Sequence, residues 1–383
     1  MSTSRSASII LPILASSAYV LELSFVPLVL PSMADALGLS NREIAGVFNS
    51  YMVAVAVAVL VGGWAGDRFD TKSVFSLGVV SFVAGSLIVA FSSSISALLF
   101  GRFLQGAGGG LFSPLIPVLL KQAAKGRPGR LLILWGSVSG LLAAIIPIAT
   151  NLMVDAVDWS LIFLLLAVVA APAVVLTFFR STSDITEKPR FQFRVSLFQP
   201  IKVWALYGYV FLSFGLIMLY VFLMPMTLDQ AGYSLMQTAY AMSAFWFAFT
   251  VSGVLLRDQV DTAKIWLILA IAPLFIGAGF LVFVLPLSFQ SVAIFSAFIG
   301  IGFACCNATS TTLILQYCKP NSESVAASLD ISIARVGAVA AVALIAPLSP
   351  SYLASASIII SVLAVALGLA PLLIDRMQES KNA

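Results

Sequence analysis

Residues 8–31 read SIILPILASSAYVLELSFVPLVLP, twenty-four residues with a single charge, Glu22. A membrane-spanning helix needs about 20 mostly apolar residues, so this stretch is long enough to cross a bilayer. Its one carboxylate then lies in hydrocarbon, where a charged side chain costs about 3 kcal/mol or more. A chain that keeps it there either satisfies it or uses it. The run is too long for a signal-peptide core and has no small-residue cleavage site, so it reads as an uncleaved first span.

The rest of the chain is of the same kind. Of 383 residues, 61% are hydrophobic and only 9% are charged, with a mean hydropathy of +1.07; soluble domains carry about 25% charge. The reading is an all-α polytopic membrane protein. Twelve spans are expected, at 8–31, 43–65, 73–91, 97–120, 131–153, 159–179, 201–226, 235–256, 264–286, 290–316, 324–347 and 352–374. If the N-terminus is cytoplasmic, 17 of the 20 lysines and arginines fall on the inner side. Arg42 alone falls outside, and Arg102 and Arg335 fall within spans. That asymmetry obeys the positive-inside rule and places both termini in the cytoplasm. It also accounts for the net charge of +4 without a nucleic-acid partner.

Several chemistries are excluded. Histidine is absent, which removes imidazole from metal binding and acid–base work. Cys305, Cys306 and Cys318 have no partners at metal-site spacing and read as reduced core residues. No G-x-x-x-x-G-K-[ST] loop exists for ATP. The chain is therefore not expected to be an enzyme, and no metal or cofactor is expected.

The organisation is a repeat. The longest connection, RSTSDITEKPRFQFRVSLFQP at 180–200, follows the sixth span. GGWAGDRFDTK after span 2 has a short echo in SGVLLRDQVDTAK after span 8, with Gly63 and Gly253 standing 190 residues apart. The expected plan is an N-terminal six-helix bundle at 1–179, a cytoplasmic linker at 180–200 and a C-terminal six-helix bundle at 201–383, around a central site.

These motifs resemble those of the major facilitator superfamily, and within it the drug:proton antiporters. The loop after span 2 is similar to G-x-L-a-D-R-x-G-R-K: Gly63, Asp67, Arg68 and Lys72 match, while Asp70 and Thr71 replace a glycine and an arginine. The resemblance implies a cytoplasmic latch between states; the alternative is topology-setting charge and helix capping. LFGRFLQGAGGG (99–110) resembles l-x-x-R-x-x-Q-G-x-g-a-a, with Arg102 and Gln105 in place and glycines that admit another helix closely. LELSFVPLVLP (21–31) resembles L-D-x-T-x-x-N-x-A-L-P, with Glu22 at the acidic position. In the second half, LDQAGYSLMQTAY (228–240) and SLDISIARVGAVAAVAL (328–344) resemble family segments, the latter through Arg335 and Gly337. Span 5 departs from the pattern: GSVSGLLAAIIP (136–147) lacks the G-P and G-G residues credited with export, although Trp159 and Phe163 match the W-x-x-x-F beyond it.

Rise per residue relates these positions. Glu22 lies roughly 13 Å from the outer end of its span and Arg102 roughly 8 Å from the outer end of span 4, so a pair between them is expected. Asp330 lies about 9 Å into span 11 from the cytoplasmic side, and about 140° round the helix from Arg335, which argues against those two pairing. Burial favours a neutral carboxyl and a nearby arginine an ionised one. Glu22 in that balance exchanges a proton as a cavity opens to each side; the alternative is an ion pair that only fixes packing. Asp330 is the second candidate coupling residue. Arg102, Arg335, Gln105, Asn49, Asn151 and Asn307 are candidates for substrate contact. Tyr207, Tyr209, Met218, Tyr220, Met242, Phe245 and Trp246 are candidates for a soft cavity wall, and Trp204 for an interfacial anchor.

The expected function is a proton-coupled secondary transporter working by alternating access and exporting a small amphipathic molecule. The alternative is a specific carrier for a metabolite or siderophore, possible also as an importer. The proton gradient is the expected energy source, and the partners are a small-molecule substrate, protons and the lipid bilayer. A monomer in a bacterial inner membrane is expected.

Overall fold

The computed structural model describes residues 2–123, 141–145, 148, 158–178, 199–256, 259, 264–286, 288–319, 323–347 and 350–382. All regular structure among them is helical. Helices α1 (Ser2–Leu37), α2 (Asn41–Arg68), α3 (Thr71–Ala90) and α4 (Ile95–Phe112) come first. A 3-10 turn at Ser113–Leu115 leads to α5 (Ile116–Ala123), and α6 (Trp159–Ala170) runs on into a 3-10 segment, Ala171–Phe178. Then follow α7 (Ile201–Gln230), α8 (Leu235–Leu256), α9 (Ile265–Phe280), α10 (Phe289–Tyr317), α11 (Glu323–Ile345) and α12 (Pro350–Asn382).

Ten of these helical stretches are long and apolar enough to cross a membrane, and Trp159–Val174 is a shorter apolar helix. Most of the expected span at 131–153, and nearly all of the expected linker at 180–200, lie outside the described residues. Elsewhere each expected span is a helix, with three differences. Helices α1 and α12 run past the expected 31 and 374, to Leu37 and Asn382, because hydropathy marks the hydrocarbon and not where hydrogen bonding stops. The span at 97–120 is interrupted at Pro114, whose missing N–H breaks the ladder where α4 gives way to the 3-10 turn. Spans 6 and 9 end in 3-10 turns rather than α-helix.

Short polar residues start the helices. Ser40 forms a capping box with Glu43, and Asp70, Ser94, Asp158 and Ser288 each accept a hydrogen bond from a first-turn N–H. Asp70, which stands where the resemblance led one to expect glycine, is thus the cap of α3.

Contacts divide the chain into two units, one of residues 1–142 and 155–197 and the other of 143–154 and 198–383. The same packing order occurs in each. In the first, α4 packs between α2 and α3, and α3 against α6; in the second, α10 packs between α8 and α9, and α9 against α12. Glycine makes the first of these contacts possible. A Cβ on Gly106 would enter the Tyr51 carbonyl of α2, and one on Gly108 would enter the Phe82 backbone of α3. In the second unit Gly337 of α11 lies against the Phe211 carbonyl of α7 in the same way. Side chains such as Val57, Leu77, Phe247, Leu344 and Leu363 are exposed and apolar, as suits helices whose outer face meets lipid tails.

Candidate functional site: a buried charge pair and a second carboxyl

In the first unit, four helices converge on Arg102. Because the glycines of α4 let α2 and α3 approach, Tyr51 and Ser86 come within reach of the next turn. Gly109 does the same for Tyr19 of α1, whose ring would stand 3.0 Å from an added Cβ. Arg102 Nη2 lies 2.8 Å from Glu22 Oε1, with the two side chains 0% and 2% exposed. Arg102 Nη1 donates to Gln105 Oε1. Gln105 Nε2 donates to Ser86 Oγ at 2.9 Å, and that hydroxyl donates to the Phe82 carbonyl at 2.8 Å. The guanidinium carbon is 4.4 Å from the Tyr51 ring centre and 5.8 Å from that of Phe163 on α6, within cation–π range.

This arrangement leaves Arg102 Nε and one carboxyl oxygen open. Glu22 Oε2 is buried and has no hydrogen-bond partner among the described residues. The free oxygen is where a proton, or a hydrogen-bond donor on a ligand, would be accepted. The expected pairing of Glu22 with Arg102 is therefore present. Tyr51, Ser86 and Phe163 were not picked out as site residues. Phe163 carried a signal, as the last position of the W-x-x-x-F motif; Tyr51 and Ser86 carried none.

In the second unit, Asp330 is buried on α11 and its Oδ2 accepts a hydrogen bond from Thr311 Oγ1 of α10 at 2.7 Å. Its Oδ1 is buried without a hydrogen-bond partner among the described residues. Arg335, also buried, lays its guanidinium 5.1 Å from the Phe214 ring centre. Among the described residues no ion pair joins Asp330 to Arg335, in line with their angular separation.

The remaining candidates are dispersed. Asn49 is half-buried, Asn307 is exposed and Asn151 lies outside the described residues. Tyr207, Tyr209, Met218, Tyr220, Met242, Phe245 and Trp246 are all buried in the second unit. The hydroxyls of Tyr207 and Tyr209 donate to the Ala326 and Leu269 carbonyls at 3.1 and 2.6 Å, and that of Tyr220 pairs with Ser296 at 2.9 Å. These contacts hold helices together. Trp204 is exposed. Gly63 is half-buried in α2, and on the same helix Gly62 and Gly66 approach Leu111 and Leu115 closely. Arg68 is exposed with its guanidinium 5.8 Å from the Trp64 ring centre, and Lys72 is half-buried; the Asp67 side chain lies outside the described residues. Cys305 and Cys306 are buried free thiols, and Cys318 is partly exposed. Among the described residues, no group of three or more Cys, Asp or Glu could hold a metal ion.

Comparison with known proteins gives these sites a context. Residues 13–342 match the Major Facilitator Superfamily. The chain is similar to a tetracenomycin C resistance and export protein of Streptomyces glaucescens, 32% identical over 165 residues, or 41% of this chain and 30% of that protein. It is 34% identical over 146 residues to a multidrug resistance protein B homolog of Mycobacterium tuberculosis, covering 36% of this chain and 26% of the relative. It is 30% identical over 175 residues to the putative multidrug resistance protein MdtD of Salmonella typhimurium, covering 45% and 37%. The matches thus span about a third of the length of these curated relatives. Among solved structures, the nucleoside transporter NupG superposes with a TM-score of 0.75 at 13% identity, covering 96% of this chain and 99% of that one. An auto-inhibited peptide transporter of the POT family superposes at 0.73 and 14%, covering 96% of each. At such identity the likeness is one of fold.

Proposed function

The chain belongs to the Major Facilitator Superfamily, a multi-span membrane protein, and from that premise we propose that it is a proton-coupled exporter of a small amphipathic molecule. It has twelve spans with both termini in the cytoplasm, works by alternating access as a monomer, and draws its energy from the proton gradient. The observation that carries the reading is the Glu22–Arg102 pair, fully buried, with one carboxyl oxygen left open. A proton on that oxygen and a donor group from a substrate exclude one another, which is the requirement for antiport. Asp330, with its own open oxygen, is the second coupling candidate. The resistance and export proteins among its relatives support outward movement.

The experiment is accumulation of a lipophilic cationic dye in bacterial cells lacking their own efflux pumps, comparing wild type, Glu22→Gln and empty vector, with and without a proton ionophore. Lower accumulation in wild type, lost both with Glu22→Gln and with ionophore, is the expected result. Equal accumulation in wild type and vector, with the protein present in the membrane, refutes broad export. The eroded glycines of span 5 then favour a specific carrier for a metabolite or siderophore.

A further inference from the structure

The second unit contains a cavity of about 450 Å³ lined by Ala144, Ile145, Ile148, Tyr240, Ser243, Ala244 and Phe247. None of the seven buried side chains expected to form a cavity wall lines this one. Its α8 residues follow the spacing i, i+3, i+4, i+7, one continuous stripe of a helix, lying beside the face that carries Met242, Phe245 and Trp246 into the core.

Three observations bear on what such a space holds. First, it is open toward lipid. Ile145, Phe247 and Tyr240 are 53%, 61% and 39% exposed, and the α8 stripe runs roughly 8 to 18 Å along the helix from Leu235, within a hydrocarbon layer about 30 Å thick. Second, none of the described residues that line it is charged, and its size falls in the range of small-molecule pockets, about 300–1,000 Å³. Third, it contains a polar group without a partner. Ser86, Thr250 and Ser361 donate to the carbonyl four residues back, whereas Ser243 Oγ is buried with no hydrogen-bond partner among the described residues. A hydroxyl left unbonded in an apolar setting is costly. Water would need two to four polar partners, and the described wall offers at most the two hydroxyls of Tyr240 and Ser243, while an acyl tail offers a hydroxyl nothing.

We infer that this cavity binds a small, uncharged, lipophilic molecule taken from the bilayer, whose one polar group hydrogen-bonds to Ser243. Tyr240 and Phe247 flank the entrance, and Ala144 and Ala244 leave the space. The inference deepens the export reading, on which it rests for the statement that the bound molecule is cargo: the site is a lateral point of entry for substrate.

The test uses the full chain in lipid nanodiscs and the neutral fluorophore N-phenyl-1-naphthylamine, whose N–H is its one polar group, with empty discs as the blank. Saturable binding is expected in the wild type. Ser243→Ala should weaken it about two- to tenfold, the worth of one hydrogen bond. Ala144→Phe and Ala244→Phe, whose rings fill the space, should abolish it. Helical circular dichroism and a monodisperse elution profile qualify the filled variants, and Ser243→Ala decides if neither folds. Absence of saturable binding in wild type, an unchanged Kd in Ser243→Ala, or full binding in a folded filled variant overturns the proposal. A phospholipid that co-purifies with wild type, resists displacement by the fluorophore and is lost from the filled variants overturns it in favour of an acyl tail. Glu22→Gln separates the two readings: it should keep binding and lose transport, and transport that survives it overturns proton coupling through Glu22 while the binding measurements judge the cavity on their own.

Discussion

The buried pair in the first unit makes a thermodynamic prediction that separates an interaction from mere proximity. Arg102→Met keeps most of the side-chain volume and removes the charge. Glu22 then has no counter-charge on Oε1, and its Oε2 was already without a partner. With both side chains 2% exposed or less, solvent screening offers no relief, and loss of one partner of a buried pair costs about 3–5 kcal/mol. Glu22→Gln should cost less. The guanidinium keeps Gln105 and the Tyr51 face at 4.4 Å, and a desolvated cation–π contact is worth about 2 kcal/mol; a loss of about 1–3 kcal/mol is expected. In Glu22→Gln/Arg102→Met both groups are neutral, so the double variant should be more stable than Arg102→Met alone, with a coupling energy of about 3 kcal/mol.

The assay is unfolding of the purified protein in mixed micelles with rising denaturing detergent, followed by tryptophan fluorescence. Single effects that add to the double within about 0.5 kcal/mol would refute the pair as an energetic unit.

Other residues carry shorter predictions. Gly106→Ala drives a Cβ into the Tyr51 carbonyl and should destabilise by about 1–3 kcal/mol; Gly208→Ala meets nothing within 4 Å and should gain about 0.5–1 kcal/mol of helix stability, both read by thermal unfolding in detergent. Thr311→Val removes the donor to Asp330 and should cost about 1–3 kcal/mol in the same measurement, and an unchanged melting curve would show that the bond contributes nothing. A membrane-impermeant maleimide should label Cys318, which is partly exposed, and spare buried Cys305 and Cys306. Labelling of inverted vesicles but not of intact cells fits the cytoplasmic placement of residue 318; the opposite pattern reverses the proposed topology.

How much of this could be read in advance follows from what hydrocarbon does to different side chains. A charge in a span is expensive, so its presence alone marks a position, and helical rise then gives its depth: Glu22 and Arg102 were matched that way, at roughly 13 and 8 Å from the same face. Angular spacing also argued that Asp330 and Arg335 would not pair. Their actual neighbours were illegible. Thr311, Phe214 and Ser86 are ordinary residues on other helices, and one sequence contains no term that connects α10 to α11 or α3 to α4. Small residues were legible as a class, since a glycine-rich segment announces a close contact, but which glycine meets which backbone was not: Gly62 of α2 lies against the Leu111 carbonyl and Gly85 of α3 against the Gln105 backbone.

The apolar faces were the least legible, and α8 shows why. In a water-soluble helix the polar side identifies outside and the apolar side identifies the core, so one amphipathic pattern orients every residue. Helix α8 is apolar all round because its outer face meets lipid, and that reference is lost. Met242, Phe245 and Trp246 were chosen from it for their chemistry, and they turned inward to the core. Tyr240, Ser243, Ala244 and Phe247, one stripe further round, border open space. The informative member of that stripe is Ser243, whose hydroxyl is cheap enough to pass unnoticed in a hydropathy profile. In the folded helix its usual partner, the carbonyl four residues back, is not taken up. A buried group that declines an available bond in a medium with no water to replace it is the same kind of signal as Glu22, at smaller amplitude. In membrane proteins such unmet hydrogen bonds, rather than apolar walls, are the better guide to where a ligand's polar atom belongs.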